Sequence, residues 1–426
     1  MVPVRTRWRW LAVLAILTVA SAGEFEGLFS GSLQHPAIGY RTRMEHDAVS
    51  RLNRKIQEDR LRLRFEGPQG YLRSTLEALD IPIESQIVVF SKTSLMQALI
   101  SSQHPRSIFF NDSVAIGWVP EEPFVEAAAE DPQQGVIFYT LDQQPAGGKL
   151  PQFVRENDCL SCHESYSSLG IPGTLVRSVF PAPNGRTVRE LGDSLSDHRS
   201  PFEQRWGGWF VTGRSVPPKH LGNAAFGADG ERKFIGKGAE MESLAGTVDT
   251  SVYLSPYSDV AALMVFNHQM HLINLLTRAG WEVRLAVYDK RPDLETLLRN
   301  AAEETVDYML FVEEAPLPGR IRGTSGFTEK FSARGPRDSK GRSLRQLDLE
   351  RRLMRYPCSY MIYSAAFDGL PAELQDAIYR RMWQVLSGQE AATKYARLSL
   401  GDRQAVTEIL HETKTRLPNY FQAVTH

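Results

Sequence analysis

The sequence has little cysteine, no excess of charge of either sign and no long apolar run beyond its N-terminus. Its 426 residues include only three cysteines, so it has no second Cys-x-x-Cys pair. The 49 basic residues balance the 50 acidic ones, so no overall field draws the chain to nucleic acid or to an anionic membrane. The chain exceeds the length at which single cores stop growing, which predicts two packed portions.

The apolar run at the N-terminus has the three parts of a secretory signal peptide. Arg5, Arg7 and Arg9 precede the apolar residues 10–19, and small residues follow as far as Ala22. We therefore expect residues before position 23 to be removed and the protein to be periplasmic or otherwise exported, where thiols are readily oxidised. The run is short for a transmembrane helix, and it would tether the protein to a membrane only if it were retained as an anchor.

Two of the cysteines lie in the stretch NDCLSCHES, residues 157–165. Cys159 and Cys162 are three residues apart, and His163 follows directly. A disulfide between them would close too small a loop to stabilise the chain much, and no βαβ pattern of a redox pair surrounds the segment. Zinc would need two more Cys or His ligands at similar spacing. The third cysteine, Cys358, is distant and lies in an apolar, aromatic stretch typical of a buried free thiol.

The order Cys-x-x-Cys-His is the one that covalent attachment of haem requires. Two thiols add to the vinyl groups of the porphyrin, and the following histidine binds the iron from the proximal side. One helical turn separates the cysteines, which directs the histidine toward the centre of the ring. The sequence therefore predicts one covalently attached haem c, with thioether bonds to Cys159 and Cys162 and with His163 as the proximal iron ligand.

Strand patterns dominate the chain before and just after this motif. Apolar runs broken by Asn, Asp, Pro and Gly occur between residues 86 and 142, with a hairpin about Asn111 and Asp112. A second hairpin, with Asn184 and Gly185 as its turn, follows the motif. A sheet is therefore expected to surround it.

Helical patterns dominate the chain beyond residue 255. The longest has Ser255 as N-cap, Pro256 at the first helical position and Gly280 just past its end. Further helices are predicted at 46–56, 71–79, 291–304, 344–355, 371–387 and 402–416. The predicted fold class is α+β, with a β-rich N-terminal half around the motif and a mainly helical C-terminal half. The expected parts are a signal peptide, 1–22, a mixed portion, 23–254, and a helical portion, 255–426, which could be fused in one domain.

The sixth ligand of the iron decides what the haem can do. A methionine or a second histidine would favour electron transfer, whereas an open position would permit peroxide, oxygen or small-ligand chemistry. His268 and His271 project from one face of the long predicted helix and are candidates for the distal ligand, although such histidines are often hydrogen-bonded core residues. His198 and His220 are candidates for a distal ligand or for a contact to a haem propionate. No catalytic residue can be named.

Residues 159–163, CLSCH, resemble the haem-attachment motif of c-type cytochromes. The stretches FSKTSLMQALISSQHPRSIFFND, LSDHRSPFEQRWGGWFVTG and LRQLDLERRLMRYPCSYMIYSAAFD are similar to large exported bacterial cytochrome c domain proteins of unassigned function. The sequence departs from a small class I cytochrome c because its motif lies in mid-chain and because Met241, the next methionine, comes 78 residues after His163. The absence of a second motif argues against two-haem peroxidases and multihaem wires.

Together, the residues and the resemblance predict an exported mono-haem c-type cytochrome that transfers electrons through the Fe(II)/Fe(III) couple. We expect a redox partner protein and no nucleic acid. The alternative is a haem enzyme of the peroxidase or oxygenase type with an open distal site. The size of the scaffold favours that alternative, because a bare electron carrier needs far fewer residues.

Overall fold

The computed structural model describes residues 32–421 apart from Leu95, Ala146 and Gly148. The predicted signal peptide, 1–22, lies outside the described residues. The α+β prediction is confirmed, since an antiparallel sheet occupies the N-terminal half and most of the described helices follow it. No helix in this part of the chain is both long enough and apolar enough to cross a bilayer.

The described strands form one large sheet and two small ribbons. In chain order they are β1 (Ile87–Val89), β2 (Arg106–Phe110), β3 (Val114–Trp118), β4 (Phe124–Asp131), β5 (Gly135–Asp142), β6 (Val154–Arg155), β7 (Arg177–Val179), β8 (Asp193–Leu195), β9 (Trp209–Phe210), β10 (Ala224–Phe226) and β11 (Arg232–Phe234). The large sheet has the order β6-β5-β4-β3-β2-β1-β9, and the ribbons are β7-β8 and β10-β11.

The register of the sheet follows from the predicted hairpin between β2 and β3. Asn111 lies in the turn of this hairpin, and its side-chain oxygen accepts hydrogen bonds from the backbone N–H groups of Ser113 and Val114. Across the central strands Ile108, Gly117, Glu126 and Thr140 then occupy one row. Because side chains alternate between the faces of a strand, residues two positions apart share the face of that row.

The described helices, in chain order, are α1 (Ala48–Gln57), α2 (Leu72–Ala78), α3 (Leu160–His163), α4 (Val260–Tyr288), α5 (Leu294–Met309), α6 (Phe327–Ala333), α7 (Ala365–Asp368), α8 (Ala372–Leu386) and α9 (Leu400–Thr413). In the longest, α4, 22 of 29 residues are buried. It packs against β5 and against α5, α6, α7 and α8. The buried apolar side chains of both halves form one continuous core, and no gap in it marks the predicted boundary after residue 254.

The predicted start and end of α4 were wrong. Its N-cap is Asp259, whose carboxylate accepts hydrogen bonds from two backbone N–H groups of the first turn. Ser255 lies ahead of the helix, and its carbonyl accepts a hydrogen bond from the side chain of Gln86. Gly280 does not end the helix, because it is buried within it and packs closely against Leu370. Tertiary contacts override the local signals at both ends.

The helix predicted at 344–355 is also absent from the described structure. Leu347 pairs with Met354 in an isolated β-bridge, and Leu349 has a φ of +58°, which a right-handed helix does not allow. Arg345 is drawn to the β2-β3 turn by an ion pair with Asp112. Further along the segment, Arg352 forms an ion pair with Asp402 of α9, and the N–H of Leu353 donates to Glu314. The polar groups of the segment therefore bond to other elements.

Candidate functional site

The Cys-x-x-Cys-His motif lies on a single helical turn next to the large sheet. α3 contains its last two members, and Cys159 is the N-cap. The carbonyl of Cys159 accepts hydrogen bonds from the backbone N–H of Cys162, at 3.2 Å, and of His163, at 3.0 Å. Both cysteines are free thiols. Burial raises the pKa of Cys159 to about 11, so this thiol is protonated at neutral pH.

The imidazole of His163 is oriented by the backbone of a neighbouring loop. Its Nδ1 lies 2.8 Å from the carbonyl oxygen of Gly173, which can only accept, so Nδ1 carries the proton. The N–H of Gly173 donates in return to the carbonyl of His163, at 2.9 Å. Burial lowers the pKa of His163, which keeps the ring neutral. Nε2 therefore has a free lone pair, and no hydrogen bond reaches it from any described residue.

A second layer of contacts fixes the loop that orients His163, which contains Gly173 and Thr174, to α4. The side-chain amide of Asn274 donates to the carbonyl of Thr174, at 2.8 Å, and accepts from its N–H, at 3.1 Å. The hydroxyl of Thr174 donates to the sulfur of Met270, at 3.0 Å. A Cβ atom on Gly173 would overlap the side-chain oxygen of Asn274. Only glycine fits between the helix and the peptide that orients His163.

A large cavity opens beside the motif. Its volume of about 1150 Å³ exceeds that of most small-molecule sites, which is ~300–1,000 Å³. Cys159, Cys162 and His163 line it, and the central strands of the sheet form its floor. The floor carries one ion pair among small, apolar or uncharged residues of the same sheet face: Arg106, Ile108, Ala115, Gly117, Glu126, Ala128, Phe138 and Thr140.

Positive charge exceeds negative charge in the lining of the cavity. Arg106 pairs with Glu126, and Arg177 pairs with Asp193 at 2.6 Å. Three further cations of the lining have no ion-pair partner among the described residues: Lys92, Arg186 and Arg189. A surplus of cations suits an occupant that carries carboxylates.

These features together fit a covalently attached haem. Such a group needs two neighbouring thiols for the thioether bonds and an imidazole whose Nε2 is free to bind the iron. It also needs a broad surface for the ring and cations for its carboxylates. In the described residues no three His, Cys, Asp or Glu side chains come together as a metal site would need. That finding does not bear on a haem iron, which the porphyrin itself holds.

Three of the other histidines named from the sequence lie together and are not among the described residues that line the cavity. Nδ1 of His198 is 2.8 Å from Nδ1 of His268, whose Nε2 is 2.7 Å from the hydroxyl of Ser359. Nε2 of His271 lies 3.0 Å from the guanidinium of Arg199. Burial lowers the pKa of His268 to about 3 and that of His271 to about 4. As distal ligands they stay sequence-based predictions that the cavity does not support.

The remaining sequence candidates are core residues. His220 is buried against the rings of Phe202 and Trp206, with centroids 6.2 and 5.6 Å away. Burial lowers its pKa to about 4. It does not belong to the described cavity lining, so a role as distal ligand or propionate contact also stays a prediction. Cys358 is fully buried, and burial raises its pKa to about 12, as expected for a free core thiol.

Sequence reasoning missed the residues that surround the motif in space. Arg106 and Glu126 reach the cavity from β2 and β4, and Asn274 holds the His163 loop from α4. A charged residue at the start of an apolar strand pattern was the available signal for Arg106. No such signal existed for Glu126, because the alanines and glutamates of β4 do not have the composition of a typical strand.

Comparison with known proteins adds no relative, since no family model, no curated protein and no solved structure matches the chain. The resemblance of the five-residue motif to c-type cytochromes is therefore not extended by any match along the chain. Function has to be inferred from the cavity and its side chains.

Proposed function

We propose that this chain is a mono-haem c-type cytochrome whose haem occupies the cavity over the central strands. Cys159 and Cys162 would hold it through thioether bonds, and Nε2 of His163 would be the proximal iron ligand. The observation that carries the proposal is the state of His163: its Nδ1–H is committed to a backbone carbonyl, and its Nε2 lone pair is free beside two free thiols. Export remains a prediction from the N-terminal sequence.

When bound, the haem supplies the Fe(II)/Fe(III) couple. The chain's own residues orient it and set its electronic properties. The hydrogen bond from His163 to Gly173 fixes the ring and increases its basicity as a ligand. The cavity floor has small residues at Ala115, Gly117 and Ala128, which leave space above the sheet for a flat ring.

The unpaired cations of the lining are suited to the two propionates of the haem. Arg186 and Arg189 are exposed, whereas Lys92 is half-buried. Propionates paired with exposed arginines would place one edge of the haem near solvent, where a redox partner protein can exchange electrons with it. The positive charge at this edge favours a partner with an acidic surface.

A second function, a haem enzyme of the peroxidase or oxygenase type, is favoured by one observation. Among the described residues that line the cavity there is no methionine, and His163 is the only histidine. A haem without a second strong protein ligand keeps a position open for peroxide, oxygen or another small ligand. We therefore expect an iron that exchanges electrons and also has an accessible sixth position.

Covalent attachment is tested first, on protein produced with a working haem-maturation system. A haem stain of a denaturing gel should be positive for the wild type and for Cys358→Ser, which is the matched control for losing a thiol. It should weaken in either single Cys→Ser variant of the motif and vanish in the double variant. Wild-type protein without covalent haem would contradict the proposal.

Absorption and electron paramagnetic resonance spectra then separate the two functions. A high-spin ferric iron and prompt binding of carbon monoxide in the ferrous form are the results that we expect from the cavity lining. A low-spin iron that ignores carbon monoxide would indicate two strong protein ligands, and it would leave electron transfer as the sole function.

A further inference from the structure

The cavity floor carries an ion pair that covalent attachment does not require. Arg106 lies on β2 and Glu126 on β4, the two strands that flank β3, and their side chains form a salt bridge. Gly117 of β3 lies between them, and a Cβ atom there would overlap the guanidinium of Arg106. The glycine therefore creates the space in which the pair lies across the sheet.

The pair lies in the same cavity as the motif. Arg106, Glu126 and all three residues of the motif line it. Both charges therefore face the space that the proposed haem would occupy.

Arg106 has unused capacity for hydrogen bonds. A guanidinium has five N–H donors, and among the described residues the side chain of Arg106 contacts only Glu126 as an acceptor. Its Nε is buried without a hydrogen-bond partner. A buried donor that lacks a partner favours binding of an acceptor from outside the chain, because an unmade hydrogen bond at a buried group is costly.

We propose that Arg106 binds a small anion inside the haem cavity and that Glu126 sets the strength of this binding. The inference rests on the proposed function, since it concerns the same cavity. The ligand is of the size of nitrite or a carboxylate, which a guanidinium can bind through two parallel hydrogen bonds. Two sources supply this chemistry: a free anion that enters beside the iron, and a propionate of the haem.

The two members of the pair affect anion binding in opposite directions. Glu126 neutralises Arg106, so Glu126→Gln removes a repulsive charge and leaves the guanidinium free for an anion. Arg106→Leu removes the donors and leaves a carboxylate that repels the anion. Gly117→Ala keeps both charges but displaces the guanidinium from its place on the floor. A merely structural pair would not produce this pattern of signs.

The test uses the ferric holoprotein and nitrite as the probe, at constant ionic strength. Nitrite binding is followed by haem absorption and by the rise in the unfolding midpoint. We expect Arg106→Leu to weaken binding about 10- to 100-fold, Gly117→Ala to weaken it less, and Glu126→Gln to strengthen it. Arg334→Leu is the matched control, because it removes an arginine from an ion pair with Asp80 outside the cavity.

The results also separate the two sources of the anion. Nitrite affinities that follow this order indicate a free anion. If all variants bind nitrite alike but Arg106→Leu shifts the pH dependence of the reduction potential, Arg106 binds a propionate. If neither quantity changes, the inference is overturned. Absence of covalent haem contradicts the proposed function instead, and the effect of nitrite on the unfolding midpoint still tests Arg106 in that protein.

Discussion

Replacing Asn274 by alanine should loosen the loop that orients His163. Asn274 is 2% exposed, and its amide makes two hydrogen bonds with the backbone of Thr174, at 2.8 and 3.1 Å. The variant leaves one N–H and one carbonyl without these partners. An unsatisfied buried polar group costs ~1–3 kcal/mol. Because Thr174 is half-buried and water can reach part of it, we expect a loss of about 2–4 kcal/mol in the free energy of unfolding.

The same change should alter the proposed haem through His163, its proposed proximal ligand. A mobile loop weakens the hydrogen bond from Nδ1 of His163 to Gly173, so the imidazole becomes a poorer donor to the iron. A poorer donor favours the ferrous state. We expect the reduction potential to rise by about 20–60 mV. For a one-electron couple, about 59 mV corresponds to a tenfold change in the equilibrium constant, so the expected effect on the iron is modest. The iron–histidine stretching band in the Raman spectrum of the ferrous form should broaden.

The matched control is Asn267→Ala on the same helix. Asn267 is also fully buried, but neither its side-chain oxygen nor its nitrogen has a hydrogen-bond partner among the described residues. Its loss should perturb the packing of α4 without affecting the His163 loop. Asn274→Asp, which keeps an acceptor for the N–H of Thr174, should fall between the wild type and Asn274→Ala. Equal effects of Asn274→Ala and Asn267→Ala on stability and on potential would refute this reasoning.

Three further predictions concern stability and ligation. Burial raises the pKa of Glu122 and of Glu130 to about 8 from the usual 4.5. Their contribution to stability is thus complete below about pH 4.5 and is lost as the pH rises through about 8. Urea unfolding should show a decrease of up to about 5 kcal/mol for each carboxyl between these limits, and Glu130→Gln should reduce that decrease; an unchanged pH profile in the variant would disprove this. Gly173→Ala should destabilise the protein by about 1–3 kcal/mol through overlap with Asn274 and should lower the yield of covalent haem; a normal melting curve and yield would contradict it. His268→Ala should destabilise the protein by about 2–4 kcal/mol but leave the ferric spectrum unchanged, whereas a change in spin state would support His268 as distal ligand.

The conformation of the motif could be predicted because it is local. Cys159, Cys162 and His163 lie within five residues, and one turn of helix is enough to bring their side chains together. The hairpin about Asn111 was predictable for the same reason, since the asparagine caps its own turn. Fold class followed from patterns of this kind along each half of the chain.

The surroundings of the motif depend on pairing between distant segments. Arg106 and Glu126 meet only because the register of three strands puts Gly117 between them, and a shift of one residue would turn these side chains to the other face. Helix limits failed for a related reason. Ser255 has the residue type of an N-cap, but Asp259, four residues later, is the one that caps α4, where its carboxylate also binds two backbone N–H groups from the loop ahead of α6.

The long helix shows most clearly where prediction from sequence reaches its limit. The sequence predicted that α4 contacts the expected haem through the face of His268 and His271, because histidine is a common iron ligand. In the structure Met270 and Asn274, one turn apart on another face, hold the loop that orients His163. A helix exposed on one side reveals its inner face through its apolar stripe, but α4 is buried on nearly all sides. Residue chemistry then cannot select a face, because buried apolar and buried polar residues both occur around the helix. Only the packing of α4 decides which of its faces contacts the loop that orients His163.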